Sequence, residues 1–256
     1  MKTILLAGGF GTRLSEETSL RPKPMVLIGD RPILSHVMGM YANHGFNDFL
    51  IAGGYRVDFI KNFFANLPMQ LNDYQIDLET GSVEILGNNA PDWKVAVIDT
   101  GLHTMTGGRI KRLSKHINNE TFMATYGDGV SDIDIAALVD FHKSHGKKAT
   151  VTAVRPPARF GNLVIDGDQV VAFEEKNPLK EGWINGGFFV LEPEIFDYIN
   201  DDTQPFEREP LTKLAAHGEL MVFKHPGFWQ PMDTLREKQK LEEMWNNGSA
   251  PWHIRY

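Results

Sequence analysis

A short apolar strand running straight into a glycine loop constrains this chain more than any other feature. Lys2-Thr3-Ile4-Leu5-Leu6-Ala7 reads as a strand, and Gly8-Gly9-Phe10-Gly11-Thr12-Arg13-Leu14 follows without a linker. Glycines let backbone N–H groups approach a ligand with no Cβ in the way. Successive N–H groups in such a turn make a nest for an anion. Arg13 adds a permanent cation whose planar fork suits phosphate oxygens. A few residues on, Arg21-Pro22-Lys23-Pro24 brings further positive charge on a stretch that two prolines are expected to hold extended. These features together point to a polyphosphate, and specifically to a nucleoside triphosphate.

Two familiar phosphate loops do not fit. A Walker A loop ends in Gly-Lys-Ser/Thr, whereas Gly11 is followed by Thr12-Arg13. A dinucleotide fingerprint spaces its glycines GxGxxG, and no third glycine stands three places after Gly11. The alternative is a plain glycine turn after a strand, against which Arg13 and Lys23 weigh.

Strand and helix signals alternate beyond the loop. A helix capped by Asp30 is expected from Pro32 to Gly45, then a strand at Phe49–Ala52, a helix at Val57–Phe64, and strands at Val95–Ile98 and Phe122–Thr125. Ile133–His145 reads as a helix closed by Gly146, and Ala149–Val154 as a strand. The second half is less regular. Leu163–Ile165 and Val170–Phe173 read as strands around a Gly167-Asp168 turn, Gly187–Leu191 and Glu219–Lys224 as strands, and Thr234–Trp245 as a final helix. This alternation predicts an α/β fold: a nucleotide-binding (Rossmann-like) mixed, mostly parallel sheet flanked by helices, with a smaller β-rich portion. No linker or repeat divides the chain, so one domain is expected over residues 1–256, with a nucleotide half to about 130 and a half completing the substrate pocket after it.

The net charge of −7 argues against general nucleic-acid binding but leaves room for a local basic pocket. No apolar run approaches a membrane span, and no signal-peptide layout is present. With no cysteines there is no disulfide and no thiolate metal site, and a cytoplasmic location is expected. The nine histidines form no zinc pattern, since His142 and His145 lack a convincing third ligand. There is no nucleophile elbow for acyl chemistry.

Four clusters could carry chemistry alongside the loop. Asp128, between Gly127 and Gly129, lies just past a likely central strand, the edge where ligands of parallel sheets collect. A carboxylate there beside a polyphosphate suits Mg²⁺, although a turn aspartate flanked by glycines is equally ordinary. Asp233 is a candidate partner, and an aspartate before a helix is also a routine N-cap. Thr104-Met105-Thr106-Gly107-Gly108-Arg109 could admit a base and ribose, or could be a helix start capped by Thr106 with a solvated basic face. Glu174-Glu175-Lys176-Asn177 and Asn185-Gly186-Gly187 carry the groups a sugar hydroxyl network and its phosphate require, or form a strand-end charge cluster.

The stretches LLAGGFGTRL, RPKPM, DTGLHTMTGGRIKR, TYGDGVSDIDI, INGGFFVL and HPGFWQPMDTLREK, in this order, closely resemble the sugar-1-phosphate nucleotidyltransferases. The resemblance runs from Met1 to about Trp252. It implies the transfer of a cytidylyl group from CTP to α-D-glucose 1-phosphate with release of pyrophosphate, assisted by Mg²⁺, in a homo-oligomer. By that resemblance Leu6, Ala7, Gly8, Gly9, Phe10, Gly11, Thr12 and Arg13 hold the nucleotide. Lys23 is the lysine at the phosphates, and with Arg13 and Asp128 it carries catalysis. Thr104 and Arg109 touch the nucleotide, Asp128 and Asp233 hold the metal, and Gly161, Glu175, Lys176 and Asn185 line the sugar-phosphate pocket. The family usually has Glu-Lys-Pro where this chain has Glu175-Lys176-Asn177, with Pro178 one place later. No single residue decides the base, so dTTP or UTP remains the nearest rival, and a non-catalytic nucleotide-sensing subunit is the alternative of another class.

Overall fold

The computed structural model describes residues 1–156, 162–166, 169–174 and 182–252. Its strands are β1 (Lys2–Ala7), β2 (Leu27–Ile28), β3 (Arg31–Pro32), β4 (Asp48–Gly53), β5 (Asp73–Ile76), β6 (Val83–Leu86), β7 (Lys94–Asp99) and β8 (Phe122–Tyr126). They continue as β9 (Gly129–Ser131), β10 (Ala149–Val154), β11 (Asn162–Asp166), β12 (Gln169–Glu174), β13 (Ile184–Asn185), β14 (Phe189–Leu191), β15 (Leu220–His225) and β16 (Trp229–Pro231). The helices are α1 (Ser15–Thr18), α2 (Ile33–Ala42), α3 (Val57–Leu71), α4 (Thr106–Arg112), α5 (Ile135–His145), α6 (Glu209–Ala216) and α7 (Leu235–Asn246).

β1 lies inside the main sheet, paired in parallel with β4 on one side and β8 on the other. β4 continues to β7 in parallel, while β14 enters antiparallel between β8 and β10, and β15 adds to β10 in parallel. The sheet is therefore mixed and mostly parallel. Its register explains the apolar run in β1. Leu5 and Ala7 pack with Ile33, Val37, Ile51 and Met123 on one face. Ile4 and Leu6 pack with Leu50, Ile110, Phe122 and Phe189 on the other. A strand covered on both faces needs apolar residues at both parities.

The chain moves from β1 to β4 and β7 in one direction, then returns to lay β8 on the opposite side of β1. This reversal opens a crevice at the carboxyl ends of β1 and β8, where open α/β sheets receive ligands. Gly8 follows one of those ends and Asp128 follows the other.

Several local expectations are corrected. Asp30 caps nothing: it pairs with Arg31, and α2 opens after Pro32 with the Ile33 N–H donating to the Val26 carbonyl. Lys23 does not sit on an extended stretch. Pro22 is extended, but Lys23–Met25 form one 3₁₀ turn, where the missing N–H of Pro24 costs little so close to the helix start. The expected strand from Gly187 begins only at Phe189, because Gly187 and Phe188 have φ of 81° and 46°. Thr106 is not a side-chain cap; its hydroxyl donates to Glu207 at 2.6 Å.

Candidate active site

Asp128 and Asp233 are brought together by a small ladder. β9 runs antiparallel to β16 with Gly129 opposite Pro231, so the residues flanking those ends, Asp128 and Met232, also meet. The Met232 N–H donates to the Asp128 carbonyl at 2.9 Å, which places Asp233 beside Asp128. Asp233 is not the cap of α7. Thr234 takes that position in a reciprocal capping box with Glu237, whose carboxylate also accepts from the Asp233 N–H at 2.8 Å. The Asp233 side chain is thereby left to the crevice. Removing this cap should cost about 1 kcal/mol; Thr234→Ala is expected to lower the melting temperature by a few degrees, read by calorimetry.

The Lys23 ammonium lies between the two carboxylates, donating to Asp128 Oδ2 and Asp233 Oδ1 at 2.6 Å each. Arg13 donates to the other oxygen of Asp233 at 2.8 Å. Burial of Lys23 by itself opposes its charge, but the two carboxylates outweigh it and raise the pKa above the ordinary 10.5. A raised amine contributes its ion-pair stabilisation fully below the unfolded value and loses it as pH rises through the folded one. Lys23 is therefore an ammonium throughout the working range, and no alkaline decline in activity below pH 10 is expected to come from it. The two cations differ in freedom: the Lys23 side chain is 10% exposed and that of Arg13 is 71% exposed.

Two carboxylate oxygens converging on one small cation also define a place for a metal. Mg²⁺ takes one or two carboxylates and fills the rest of its octahedron with phosphate oxygens and water. Among the described residues no group of three His, Cys, Asp or Glu side chains could hold a metal unaided. The donor set fits an ion that arrives with a polyphosphate.

The three loop glycines answer to different constraints. A Cβ on Gly8 would lie 2.2 Å from the Arg109 guanidinium carbon. Gly11 has φ of +65°, and a Cβ there would meet Thr18 at 2.7 Å and Lys23 at 2.9 Å. Gly9 faces open space, with nothing within 4 Å of its ideal Cβ. Gly9→Ala is accordingly expected to fold with unchanged melting temperature while raising the nucleotide KM, whereas Gly11→Ala should also lower the melting temperature. Calorimetry with steady-state kinetics separates the two.

Arg109 lies beneath the loop. It is 4% exposed, and its Nη2 donates to the Gly8 carbonyl at 3.0 Å. Its Nη1 donates to Thr100 Oγ1, the Gly101 carbonyl and the Gly53 carbonyl at 2.7, 2.8 and 2.9 Å. Burial pushes this guanidinium below its ordinary 12.5, and it still stays charged at neutral pH. The geometry makes Arg109 a clamp on the carboxyl ends of β1 and β4. Thr104 is also buried, 8% exposed, with its side chain against Gly101 and Gly108.

A cavity of 250 Å³ opens beside the aspartates, lined by Arg13, Thr125, Tyr126, Asp128, Asn185, Gly186, Trp229 and Asp233 among others. Asn185 thus lines the same cavity as Asp128 and Asp233. Gly161, Glu175 and Lys176 lie outside the described residues. Phe10 is 43% exposed on the outer lip, with Tyr55 and His103 rings 5.5 and 6.0 Å away. Sequence reasoning missed three residues here: Tyr126, which ends β8; Trp229, whose indole donates to the Gly186 carbonyl at 3.0 Å; and Glu207. Tyr126 and Trp229 stand two and four residues before Asp128 and Asp233, a usable signal; Glu207 carries none.

A glycine loop at a sheet's switch point, a lysine at its base and two carboxylates facing it define a polyphosphate-handling transferase site. The chain belongs to the nucleotidyl transferase family, whose model matches residues 2–233. It is 53% identical to glucose-1-phosphate cytidylyltransferase from Salmonella typhi over 98% of each chain. It is 41% identical to a probable glucose-1-phosphate cytidylyltransferase from Bacillus subtilis over 99% of this chain and all of that one. Among solved structures, HddC from Yersinia pseudotuberculosis complexed with GMP-PN aligns with a TM-score of 0.70 at 25% identity, covering 95% of this chain and 99% of the other.

Proposed function

We propose that this protein transfers a cytidylyl group from CTP to α-D-glucose 1-phosphate, giving CDP-glucose and pyrophosphate. The observation that carries this reading is the Lys23 ammonium seated between Asp128 and Asp233 at the foot of the glycine loop. Similarity at 53% identity to a glucose-1-phosphate cytidylyltransferase supports the choice of base and sugar.

The sugar phosphate is already an oxyanion, so no side chain need become a covalent nucleophile. Its oxygen attacks the α-phosphorus in line; the new O–P bond forms as the bridging α–β bond breaks, and pyrophosphate leaves with that electron pair. Such transfers depend on positioning and on stabilising charge. Backbone groups of residues 6–13 cradle the triphosphate. Lys23 offsets charge on the α-phosphate and the incoming phosphate, and Arg13, the more exposed cation, holds the departing pyrophosphate. Arg109 acts on the nucleotide by fixing the Gly8 carbonyl, and Thr104 is assigned to the nucleotide with it. Asp128 and Asp233 hold Mg²⁺, which when bound neutralises phosphate charge and orients phosphate oxygens. Asn185, with Gly161, Glu175 and Lys176, receives the sugar phosphate.

Residues 1–256 work as one catalytic unit in the cytoplasm, where nucleoside triphosphates are available, and as a homo-oligomer. Apolar side chains exposed on the β5–β6 hairpin, among them Tyr74, Ile76 and Leu86, support association. The test is direct: incubate the protein with Mg²⁺, glucose 1-phosphate and each nucleoside triphosphate in turn, and measure pyrophosphate. Release with CTP alone is expected. Equal release with dTTP or UTP would overturn the base assignment, and none with any nucleotide would favour a nucleotide-sensing subunit.

A further inference from the structure

Asn185 is held by an ordered chain of hydrogen bonds that reaches back to Thr106 at the start of α4. The Gly187 N–H meets one atom of the Asn185 amide at 2.8 Å. A backbone N–H can only donate, so that atom is Oδ1, and Nδ2 is the atom that faces Tyr126. Nδ2 donates to the Tyr126 hydroxyl at 3.1 Å. That hydroxyl must send its own proton elsewhere, and it donates to Glu207 at 2.8 Å. The other Glu207 oxygen accepts from Thr106 Oγ1 at 2.6 Å, and Thr106 in turn accepts from the Phe206 N–H at 2.8 Å. Every proton in the chain has one direction. Both donors converge on Glu207, and an ionised carboxylate is the group that can accept twice.

One proton is left over. Asn185 Nδ2 carries two, and the second has no partner among the described residues. Asn185 lines the 250 Å³ cavity that also contains Asp128 and Asp233.

We propose that Glu207 is a positioning residue: through Tyr126 it fixes the amide of Asn185 so that its remaining N–H is presented to an acceptor oxygen of the hexose phosphate. This inference rests on the functional reading above and deepens its sugar-phosphate side. Thr106 anchors the same carboxylate to the start of α4, so the sugar-side donor is aligned by an element of the nucleotide half. A glutamine at 207 keeps the shape and breaks the logic. Its amide nitrogen cannot accept, so either Thr106 or Tyr126 loses its acceptor. If it is Tyr126, the hydroxyl proton turns toward Asn185 and that amide must rotate, forfeiting the Gly187 bond.

The experiment compares wild type, Glu207→Gln, Tyr126→Phe and the double variant, reading KM for glucose 1-phosphate and for CTP separately. Losing one aligned hydrogen bond is expected to raise the glucose 1-phosphate KM about tenfold. The CTP KM should stay within about twofold in both single variants, and the double variant should be no worse than the poorer single one, because the two residues act in series. Tyr126→Phe is a single-atom deletion in a half-buried ring, so it keeps the test alive if Glu207→Gln folds poorly. A glucose 1-phosphate KM unchanged in Tyr126→Phe, or equal rises in both KM values, would overturn the inference while the wild-type activity stands. A wild type inactive with every nucleotide would overturn the functional reading, and this inference with it.

Discussion

A Lys23→Ala protein is expected to fold and to lose turnover by two to three powers of ten. Among the described residues Lys23 is the one buried ammonium at the crevice, 8% exposed, and its two ion-pair partners are Asp128 and Asp233. The role proposed for it is to meet charge that grows on the α-phosphate as the new bond forms. One such preorganised donor is worth about 3–4 kcal/mol in a water-poor site. The fold should survive, because the core under the loop is built by β1, α2 and the opposing face of the sheet, not by this ion pair. Single-turnover kinetics at saturating CTP and Mg²⁺, with circular dichroism to establish folding, make the measurement. Lys23→Ala turnover within about threefold of wild type would remove the residue from catalysis; that margin is far below the loss of one charged donor.

The second large effect concerns the metal and runs in opposite directions in two variants. The Lys23 ammonium occupies the point on which Asp128 and Asp233 converge. A divalent ion must compete with it. Asp128→Asn removes one of two carboxylates, and the Mg²⁺ needed for half-maximal effect should rise by more than the ~10–100-fold typical of losing an outer-shell partner. Lys23→Ala removes the competitor, so the same two carboxylates should bind a divalent ion more tightly than in wild type. Calorimetric titration with Mn²⁺, with and without CTP, reads both without relying on turnover. Weaker ion binding in Lys23→Ala would mean that the lysine supports the metal rather than substituting for it.

Much of this site was legible in sequence because its parts are local. The strand, the three glycines and Arg13 lie within one dozen residues, and an apolar run breaking into glycine has few structural meanings. Asp128 was legible as a strand-end carboxylate. Asp233 was ambiguous for a physical reason: one residue separates a helix cap from a side chain turned to the crevice, and only the Thr234–Glu237 capping box shows that Asp233 is not the cap. The β9–β16 ladder that joins the two aspartates is three residues long on each side, too short to leave a pattern. Arg109 looked like a solvated or nucleotide-facing cation within a basic run. Its burial depends on carbonyls from three other segments, Gly8, Gly53 and Gly101, which no spacing can reveal. The β5–β6 hairpin escaped although Tyr74 and Ile76 alternate with Asp73 and Gln75: four residues per strand are too short a run to stand out, and every residue in both strands is exposed, so no core face supports the pattern. Glu207 was invisible for the same reason as Arg109: its importance lies in whom it touches.

The account turns on where the triphosphate goes and what becomes of the lysine. A crystal structure of the protein with CTP and Mg²⁺ tests this most directly. It should place the triphosphate along Gly8–Arg13, the metal between Asp128 and Asp233, and the Lys23 ammonium moved off the carboxylates onto phosphate oxygen. A triphosphate bound elsewhere, with Lys23 still locked between the two aspartates, would contradict it.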